Sequence, residues 1–489
     1  MSKQNRIPLY EALIDHRRKS SISFHVPGHK SGAISHQQSE NIFEDILRID
    51  VTELTGLDDL HSPEGVIREA QELLAALYQV KNSFFLVNGS TVGNLAMILS
   101  VCEKDDVILV QRNCHKSVLN AIKLAKAHPI FLEPDYNQEW KTATGVSKEI
   151  VESAISLYPE AKAIVLTYPN YYGMVYDLKS VIHLAHLHNI PVLVDEAHGP
   201  HFILGEPFPA SAIQLGADMV VHSAHKTLPA MTMGSYLHIN SNRINTNKVK
   251  DYLQVLQSSS PSYVIMASLD LARHYLARYQ QSDIEYLNNE ITLFKKELNK
   301  IQSIKVLEYP DSYGDTLKVT IQSRSKLSGF ELQKRLEEIG IYTELADPYN
   351  VLLILPLLKQ NQDFLLFEAC SRIREILVDI PYHFKEEEVL TSSGNISELA
   401  IPYDKWSCYE QEIKDISTAA GFICAETIIP YPPGIPLLLT GELITEEKVS
   451  QLEHLKNTGA RFQGGSCLDK NQINIFSKAD SRKIRNLKQ

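Results

Sequence analysis

The chain has 489 residues and a formal net charge of −11, from 48 basic and 59 acidic residues. A chain of this length exceeds one compact core and predicts two or three domains. The acidic balance argues against a nucleic-acid partner, since such proteins usually present a basic surface. No apolar run approaches the length of a membrane span, and the N-terminus lacks the apolar core of a signal peptide. We therefore expect a cytoplasmic protein without a membrane partner.

The residues that could bind metal do not cluster. The six cysteines are scattered without a Cys-x-x-Cys spacing, which favours reduced thiols over a disulfide framework or a zinc site. His183, His186 and His188 share one predicted helix, but no cysteine or carboxylate joins them. We interpret them as a solvated helix face and expect no metal.

The first 62 residues contain little regular structure beyond an amphipathic helix predicted over 9–17. The stretch from Phe24 to Gly32 resembles a nucleotide phosphate loop only superficially, because Ser23 stands where its leading glycine belongs and no strand precedes it. The polar stretch Asp50–His61 is either an arm that contacts a partner subunit or an ordinary surface connection.

From about residue 80 to about residue 240 the pattern alternates between strand and helix. This alternation predicts a largely parallel sheet wrapped by helices, with right-handed crossovers. The predicted strands are 83–87, 106–110, 130–132, 163–167, 190–194, 218–221 and 231–240.

Two of the turns after these strands carry residues that suit an anionic or aromatic ligand. Ser90 and Thr91 follow Asn88-Gly89 at the start of a helix predicted over 92–101. The free N–H groups and the dipole of that helix favour a phosphate there, although either hydroxyl could also serve as a helix cap. His115 follows the strand over 106–110 and could stack on a flat cofactor ring or act as a capping residue.

A pair of later stretches indicates the chemistry. Asp195 ends the apolar run 190–194, where open α/β sheets bind their ligands, and a carboxylate there can keep a pyridine nitrogen protonated. About thirty residues later, one strand–crossover–strand unit, Lys226 could form an imine with an aldehyde cofactor. Ser223 and His225 flank that lysine and could hold a phosphate. Together these residues predict a pyridoxal 5'-phosphate (PLP) enzyme.

The pattern changes after a long helix predicted over 284–301. Strand, strand, helix and strand follow over 305–358, which suits a smaller α+β domain, and a third segment begins near residue 386. That segment contains a stretch dense in proline and glycine, whose rigidity suits the wall of a site. We predict an N-terminal arm over 1–62, a PLP-binding major domain over 63–285, a small α+β domain over 286–385 and a C-terminal domain over 386–489.

Five motifs in order resemble the Orn/Lys/Arg decarboxylase family, the bacterial basic-amino-acid decarboxylases of the aspartate aminotransferase fold (fold type I). The resemblance covers nearly the whole chain and is to the short members, since no receiver-like wing domain precedes the first motif. Thr232-Met233 and Thr440-Gly441-Glu442 depart from the usual Thr-Gln and Pro-Gly-Glu of the family. The motifs are Phe24-His25-Val26-Pro27-Gly28-His29-Lys30, Gly56-Leu57-Asp58-Asp59-Leu60-His61, Asp195-Glu196-Ala197-His198-Gly199, Ser223-Ala224-His225-Lys226 and Tyr431-Pro432-Pro433-Gly434-Ile435-Pro436.

The resemblance implies a role for each matching residue. Lys226 is the lysine that links to PLP, Asp195 pairs with the pyridine nitrogen and His115 stacks on the ring. Ala197 packs against the ring, and His198 lies near the ring hydroxyl or the substrate carboxylate. The residues implied to hold the phosphate are Ser90, Thr91, Ser223 and His225.

The expected reaction is decarboxylation of arginine, lysine or ornithine, with Lys226 or His198 returning a proton to the α-carbon. Glu426 is the candidate partner of the distal cation of the substrate, although it could equally be an exposed surface carboxylate. The alternatives are another PLP reaction (an aminotransferase, an acyltransferase or a β-eliminating lyase) and a non-catalytic PLP-binding relative. Because sites of this fold are usually completed by a second subunit, we also expect at least a homodimer.

Overall fold

A computed structural model of the protein describes residues 3–19, 21–34, 42–383, 396–430 and 435–477. Helices and strands alternate through much of the chain, and the large sheet is mostly parallel, which confirms the predicted α/β class. By its backbone contacts the chain divides into two units, Met1–Val101 with Pro191–Ile284 and Cys102–Ile190 with Glu285–Gln489. The predicted domain boundaries stay a prediction.

The helices follow the apolar periodicity of the sequence, and several begin at a polar cap. Ser328 and Glu331, for example, form a reciprocal capping box at the start of one of them. In chain order the α-helices of the described residues are α1 (Pro8–Arg18), α2 (Glu44–Leu47), α3 (Val66–Tyr78), α4 (Gly89–Val101), α5 (Lys116–Ala125), α6 (Lys148–Leu157), α7 (Leu178–Leu187), α8 (Ala212–Leu215), α9 (Ala224–Thr227), α10 (Thr246–Leu256), α11 (Tyr263–Ala277), α12 (Gln281–Leu298), α13 (Gly329–Glu338), α14 (Leu366–Leu377) and α15 (Glu446–Asn457).

The strands of the large sheet are short and mostly buried, as their apolar runs predict. In chain order the strands of the described residues are β1 (Asn82–Leu86), β2 (Val107–Gln111), β3 (His128–Leu132), β4 (Tyr136–Asn137), β5 (Thr142–Ala143), β6 (Ile164–Thr167), β7 (Val192–Asp195), β8 (Met219–His222), β9 (Ser235–Ile239), β10 (Ile304–Val306), β11 (Lys318–Ser323), β12 (Leu345–Ala346), β13 (Asn350–Ile354), β14 (Ile396–Glu398), β15 (Gln411–Asp415), β16 (Ile423–Cys424), β17 (Ile429–Pro430), β18 (Phe462–Gln463) and β19 (Gln472–Phe476).

In the first unit, β7 and β8 form a parallel pair whose carboxyl ends stay together. Asp195 pairs with Val221, and hydrogen bonds continue past both strands, from Glu196 N–H to Val221 O and from Ser223 N–H to Ala197 O. Strand β9 runs antiparallel to β8, and β1 runs antiparallel to β9. The residues that follow β7 and β8 are thereby fixed against one another.

Helix α4 packs directly on β8. A Cβ atom at Gly93 would lie 2.4 Å from Val221 Cγ2, so only glycine allows this approach. The helix begins at Gly89, three residues earlier than predicted. Ser90 and Thr91 therefore lie in its first turn, where backbone N–H groups lack partners within the helix.

The polar stretch Asp50–His61 packs against its own unit. Val51, Leu57 and Leu60 are buried, and the carboxylate of Asp58 accepts hydrogen bonds from five backbone N–H groups. Those of Ile67 and Arg68 belong to the first turn of α3, and those of Asp59, Glu64 and Gly65 precede it. These donors hold the pKa of Asp58 below its ordinary value, although burial opposes them. Asp58 thus stabilises the start of α3.

The second unit contains a group of mostly parallel strands and a separate small antiparallel sheet. Strands β3 and β6 run parallel to β2 on either side of it, and β14 runs antiparallel to β3. Strands β10, β11, β13 and β12 form an antiparallel sheet that packs against α13. This arrangement confirms the strand–strand–helix–strand pattern predicted over 305–358.

The C-terminal part of the second unit has its own apolar core. Strands β15, β19 and β16 form a three-stranded sheet, and residues such as Ile428, Leu438, Leu452 and Ile475 pack together beside it. Among the described residues, none of the helices is both long enough and apolar enough to span a bilayer.

Candidate active site

Lys226 lies in the short helix α9, four residues past β8. Its amine nitrogen is 2.8 Å from Nε2 of His198, which follows β7. Lys226 is half-buried and His198 is buried. The predicted lysine and the predicted histidine are therefore direct neighbours, and an amine next to an imidazole can exchange a proton with it.

Asp195 ends β7, and both oxygens of its buried carboxylate accept hydrogen bonds. The side-chain amide of Asn94 donates to Oδ2 over 2.8 Å, and the N–H of Ala197 donates to Oδ1 over 3.1 Å. Two donors hold the carboxylate in one orientation, which suits a partner for a protonated ring nitrogen. Asn94 was missed from the sequence, although it lies one helical turn beyond Ser90, on the same face of α4.

Ser90 and Ser223 come together where β8 ends and α4 begins. Their hydroxyl oxygens are 2.8 Å apart, with Ser223 as donor. Gly89 adopts a φ of +76°, which favours glycine, and its N–H donates to the carbonyl of Met233 over 2.9 Å. The structure thus brings the two predicted serines together at a helix N-terminus, a usual binding place for phosphate.

Three further predicted residues lie close by in the sequence of the first unit. Thr91 is exposed in the first turn of α4, and Ala197 is buried beside Asp195. His225 is half-buried, and its Nδ1 lies 3.0 Å from the carbonyl of Gly234. A carbonyl can only accept, so Nδ1 is the donor and this bond holds the ring of His225 in one orientation.

His115 and Glu426 belong to the second unit. His115 precedes α5, and its Nδ1 lies 3.2 Å from the N–H of Ser117 and 2.8 Å from the hydroxyl of that serine. It is thus a helix cap, and its stacking on a cofactor ring stays a prediction. Glu426 accepts hydrogen bonds from the N–H groups of Ser466 and Asn474, over 2.9 and 2.8 Å. Its contact with a substrate is likewise untested.

The second unit also contains a buried ionic cluster that the sequence did not predict. Arg112 pairs with Glu442 through two nitrogens, at 2.9 and 3.2 Å, and Lys448 lies 2.5 Å from the same carboxylate. Burial alone would raise the pKa of Glu442, but the two cations outweigh it and lower that pKa below its ordinary value. Arg112 also donates to the carbonyls of Pro436 and Leu437.

The cluster therefore anchors the end of the proline-rich motif. Residues Tyr431 to Gly434 of that motif lie outside the described residues. Glu442 is the last residue of the Thr440-Gly441-Glu442 sequence, in which the threonine departs from the family pattern. Its pairing with Arg112 gives this glutamate a structural role.

The residues of the first unit fit PLP. The cofactor has a phosphate, a ring nitrogen and an aldehyde, and the chain offers a partner of the right chemistry for each. Gly89, Ser90 and Ser223 form a cradle at a helix N-terminus for the phosphate. The doubly hydrogen-bonded carboxylate of Asp195 suits the ring nitrogen, and the amine of Lys226 suits the aldehyde.

The comparisons with known proteins agree with this chemistry. The family model described as "Orn/Lys/Arg decarboxylase, major domain" matches residues 7–313, and the one described as "Orn/Lys/Arg decarboxylase, C-terminal domain" matches residues 402–464. Uncharacterized protein YaaO of Bacillus subtilis (strain 168) is 48% identical over 476 residues, which cover 96% of this chain and 98% of that protein. The arginine decarboxylase of Bacillus subtilis (strain 168) is 35% identical over 471 residues, which cover 94% and 96%.

Among solved structures, the lysine decarboxylase LdcF of Francisella novicida has a TM-score of 0.80 at 20% identity. The match covers 96% of this chain and 81% of that one, and it shows the same fold. With the family models and the relatives, it confirms the resemblance, the fold type and the cofactor predicted from the sequence. The chain belongs to the Orn/Lys/Arg decarboxylase family, whose members are PLP-dependent amino-acid decarboxylases.

Proposed function

We propose that the chain converts a basic amino acid, with arginine preferred, into its amine and CO2. The observation that carries this proposal is the joint arrangement of Lys226, His198 and Asp195 at the ends of two neighbouring strands. The 35% identity to a protein named arginine decarboxylase supports arginine as the substrate. We further propose that the reaction takes place in the cytoplasm and feeds polyamine formation.

In this proposal the residues of the first unit bind and orient the cofactor. Ser90, Thr91, Ser223 and His225 hold its phosphate. Asp195 keeps the ring nitrogen protonated, and Asn94 holds the Asp195 carboxylate in place. PLP, when bound there, would supply an electron sink for the bond that breaks as CO2 leaves. Ala197 offers a small, buried side chain against which a ring can pack.

Lys226 and His198 carry out the proton transfer in this proposal. The amine of Lys226 would be the group that links to the PLP aldehyde, and this amine lies within hydrogen-bond distance of His198. Nε2 of a neutral His198 accepts that hydrogen bond, and a protonated lysine can donate to the α-carbon after CO2 has left. The proton acceptor and the proton donor are thus held side by side.

We also propose that His115 stacks on the cofactor ring and that Glu426 recognises the distal cation of the substrate. His115 is half-buried and its ring is fixed by Ser117. The N–H and the hydroxyl of Ser466 both donate to Oε2 of Glu426, whereas Oε1 takes one of these bonds, from the N–H of Asn474, so a guanidinium or ammonium group can bind at Oε1. Replacement of Glu426 by glutamine should then raise the KM for arginine much more than it lowers kcat.

A homodimer completes the proposal. The stretch around the first motif exposes large apolar side chains, with Ile22 at 87%, Phe24 at 94% and Ile34 at 66% exposure. Several large apolar side chains exposed within one stretch of the sequence are a feature of interaction surfaces. A second copy of the chain is the partner that we propose for it.

The experiment that tests the proposed function is a product assay. Purified protein with PLP is incubated separately with arginine, lysine and ornithine, and agmatine, cadaverine and putrescine are measured by mass spectrometry. We expect agmatine to form fastest, and we expect none of the three amines from the Lys226→Ala variant. Formation of no amine, with the visible absorbance of bound PLP intact, would overturn the assignment in favour of another PLP reaction or a non-catalytic relative.

A further inference from the structure

A buried chain of hydrogen bonds crosses the strands of the first unit behind Asp195. Ser83 Oγ lies 2.8 Å from Nδ1 of His238, and Nε2 of His238 lies 3.1 Å from Nδ1 of His222. Nε2 of His222 lies 2.6 Å from Oε2 of Glu196. Ser83 is on β1, His238 on β9, His222 on β8, and Glu196 directly follows β7. Ser83 is almost fully buried, and the other three are fully buried.

The inner end of the chain is held by donors from α8. Ser211, the N-cap of that helix, donates to Oε2 of Glu196 over 2.6 Å, and the N–H of Ala212 donates to Oε1 over 2.7 Å. The other end reaches Ser83, which borders a cleft of about 550 Å³ that is also lined by Gln71 and Leu253. Protons from solvent can therefore reach the chain through its outer end.

Its position gives this chain a link to the candidate site. Glu196 is the residue after Asp195, and His222 is the residue before Ser223. The bond between Glu196 and His222 therefore joins the two segments that carry Asp195 and Lys226. None of the proposed catalytic roles uses either residue.

All three hydrogen bonds of this chain can form with the donors and acceptors arranged in either of two opposite directions. With Glu196 ionised, Ser83 donates to His238, His238 donates through Nε2 to His222, and His222 donates through Nε2 to the carboxylate. With Glu196 protonated, the carboxyl group donates to Nε2 of His222, and both histidines then carry their proton on Nδ1. The two states differ by one proton, and each retains all three hydrogen bonds.

We propose that Glu196 and His222 are positioning residues for the decarboxylation. The chain Ser83–His238–His222–Glu196 locks the ends of β7 and β8 in one geometry whether Glu196 is ionised or protonated. The link to catalysis rests on the proposed function, through the roles of Asp195 and Lys226. The change of hydrogen-bond direction when Glu196 gains or loses its proton, here called the reversal of the hydrogen-bond chain, does not depend on those roles.

The surroundings place this change of protonation in an accessible pH range. Burial raises the pKa of Glu196 to about 8, although Ser211, Ala212 and His201 act to lower it. Burial, with His201, lowers the pKa of His222 to about 3, against the pull of Asp195, so the imidazole stays neutral.

Three of the groups in or against the hydrogen-bond chain stay uncharged near neutral pH, namely His238, Tyr78 and Tyr236. Burial lowers the pKa of His238 well below its ordinary value and raises those of Tyr78 and Tyr236 above theirs. These two tyrosine rings pack against His238, with centroids at 4.5 and 6.1 Å.

The first test is magic-angle-spinning NMR on the apoprotein with ¹⁵N-labelled histidine. The signals of His222 and His238 are assigned by their loss in the His222→Gln and His238→Gln variants. We expect both rings to carry their proton on Nδ1 at low pH and to change together to Nε2 as pH rises through the pKa of Glu196. In Glu196→Gln the amide must donate to His222, so both rings should stay protonated on Nδ1 at every pH.

The second test measures PLP binding to the apoprotein. Loss of one buried hydrogen bond to a charged group predicts that Glu196→Ala weakens PLP binding about tenfold or more, and Glu196→Gln should recover most of this loss. Should Glu196→Ala fail to fold, Ser83→Ala serves instead. It removes the outer partner of His238, which takes part in both directions of the hydrogen-bond chain, and should shift the pH at which both rings change.

Three results would overturn the proposal. The first is that the two rings have the same tautomers in the unchanged protein at high pH and in Glu196→Gln. The second is that the two rings change tautomer independently, and the third is that Glu196→Ala binds PLP as tightly as the unchanged protein. The tautomer measurement needs neither cofactor nor substrate. A chain that reverses in a protein that makes no amine would therefore refute the proposed function and leave the reversal standing.

Discussion

The amine nitrogen of Lys226 lies 2.8 Å from Nε2 of His198. The two residues are 28 positions apart in the sequence and follow two neighbouring parallel strands, β8 and β7. The carboxyl ends of parallel strands meet at one edge of a sheet, which explains why residues from separate motifs become neighbours here. At this distance the lysine and the imidazole form a hydrogen bond, with the donor set by their protonation, and the predictions for both residues follow from it.

Replacement of Lys226 by alanine should abolish turnover, because it removes the amine that is proposed to link to PLP and to return the proton. The measurement is the mass-spectrometric assay for agmatine, with PLP and arginine in excess. Lys250→Ala is the matched control, since Lys250 is exposed on α10 of the same unit. Steady-state activity retained in Lys226→Ala would contradict the role given to this lysine.

Replacement of His198 by glutamine should lower kcat while PLP still binds. Glutamine can hydrogen-bond to Lys226 but cannot take up a proton, so the loss should be of the size of general acid–base catalysis, about a hundredfold or more. Single-turnover kinetics with arginine, together with the absorbance of bound PLP, would separate chemistry from binding. Unchanged single-turnover rates would mean that His198 only positions Lys226.

Asn94 should affect PLP affinity, because its side chain holds the carboxylate of Asp195 in place. Removal of its side chain in Asn94→Ala leaves Oδ2 of a buried carboxylate without this donor, and we expect PLP affinity to fall about tenfold, as for the loss of one buried hydrogen bond to a charged group. Equilibrium titration of the apoprotein with PLP measures this directly. Asn289→Ala, at an exposed position of α12, is the control. Equal affinities in the two variants would show that Ala197 N–H alone orients Asp195.

Much of this architecture could be predicted from the sequence, because buried parallel strands are continuous apolar runs. The apolar runs over 190–194 and 218–221 identified β7 and β8, and the strand periodicity after residue 305 identified the small sheet. The start of α4 was placed three residues late, because Gly89-Ser90-Thr91 is a sequence typical of a turn, whereas here Gly89 enters the helix with a positive φ.

The contacts that could not be predicted are those between residues distant in the sequence. Arg112 and Glu442 are 330 positions apart, and no local pattern pairs them. The contact between Glu196 and His222 could not be predicted either. A carboxylate after a strand and a histidine before Ser223 could belong to a ligand site or to a buried hydrogen-bond network, and the sequence does not distinguish the two. Only the tertiary structure shows that these two side chains bond to each other.

Glu442 should make stability depend on pH. Arg112 and Lys448 lower its pKa in the folded state below the ordinary 4.5, so the folded state holds fewer protons than the unfolded one between these two values. This pairing therefore stabilises the fold fully above about pH 4.5 and loses that contribution as pH falls through the lowered pKa. Glu442→Gln breaks a buried pair and should cost about 3 kcal/mol near pH 7, and less at low pH.

Urea denaturation of both proteins at a series of pH values from 7 to about 3 measures that difference. Arg372→Ala is the control, because Arg372 and its partner Glu368 are exposed on α14, and such pairs contribute at most about 1 kcal/mol. A difference between Glu442→Gln and the unchanged protein that stays constant with pH would show that Glu442 is not the group that titrates.

The exposed apolar stretch should hold two copies of the chain together. Phe24 and Ile22 leave 94% and 87% of their surface exposed within the first unit, and burial of two phenylalanine and two isoleucine side chains in a symmetric interface is worth several kcal/mol, at about 1.5–3 kcal/mol each. A change of both residues to aspartate should therefore weaken the dimer by at least about a hundredfold, because it removes this burial and opposes like charges across the interface.

Sedimentation equilibrium measures the dissociation constant directly. Val255→Asp is the matched control, since Val255 is 76% exposed on α10 of the same unit. A mass equal to one chain for the unchanged protein would refute the dimer itself. An equally stable dimer in the double variant would instead move the interface to another surface.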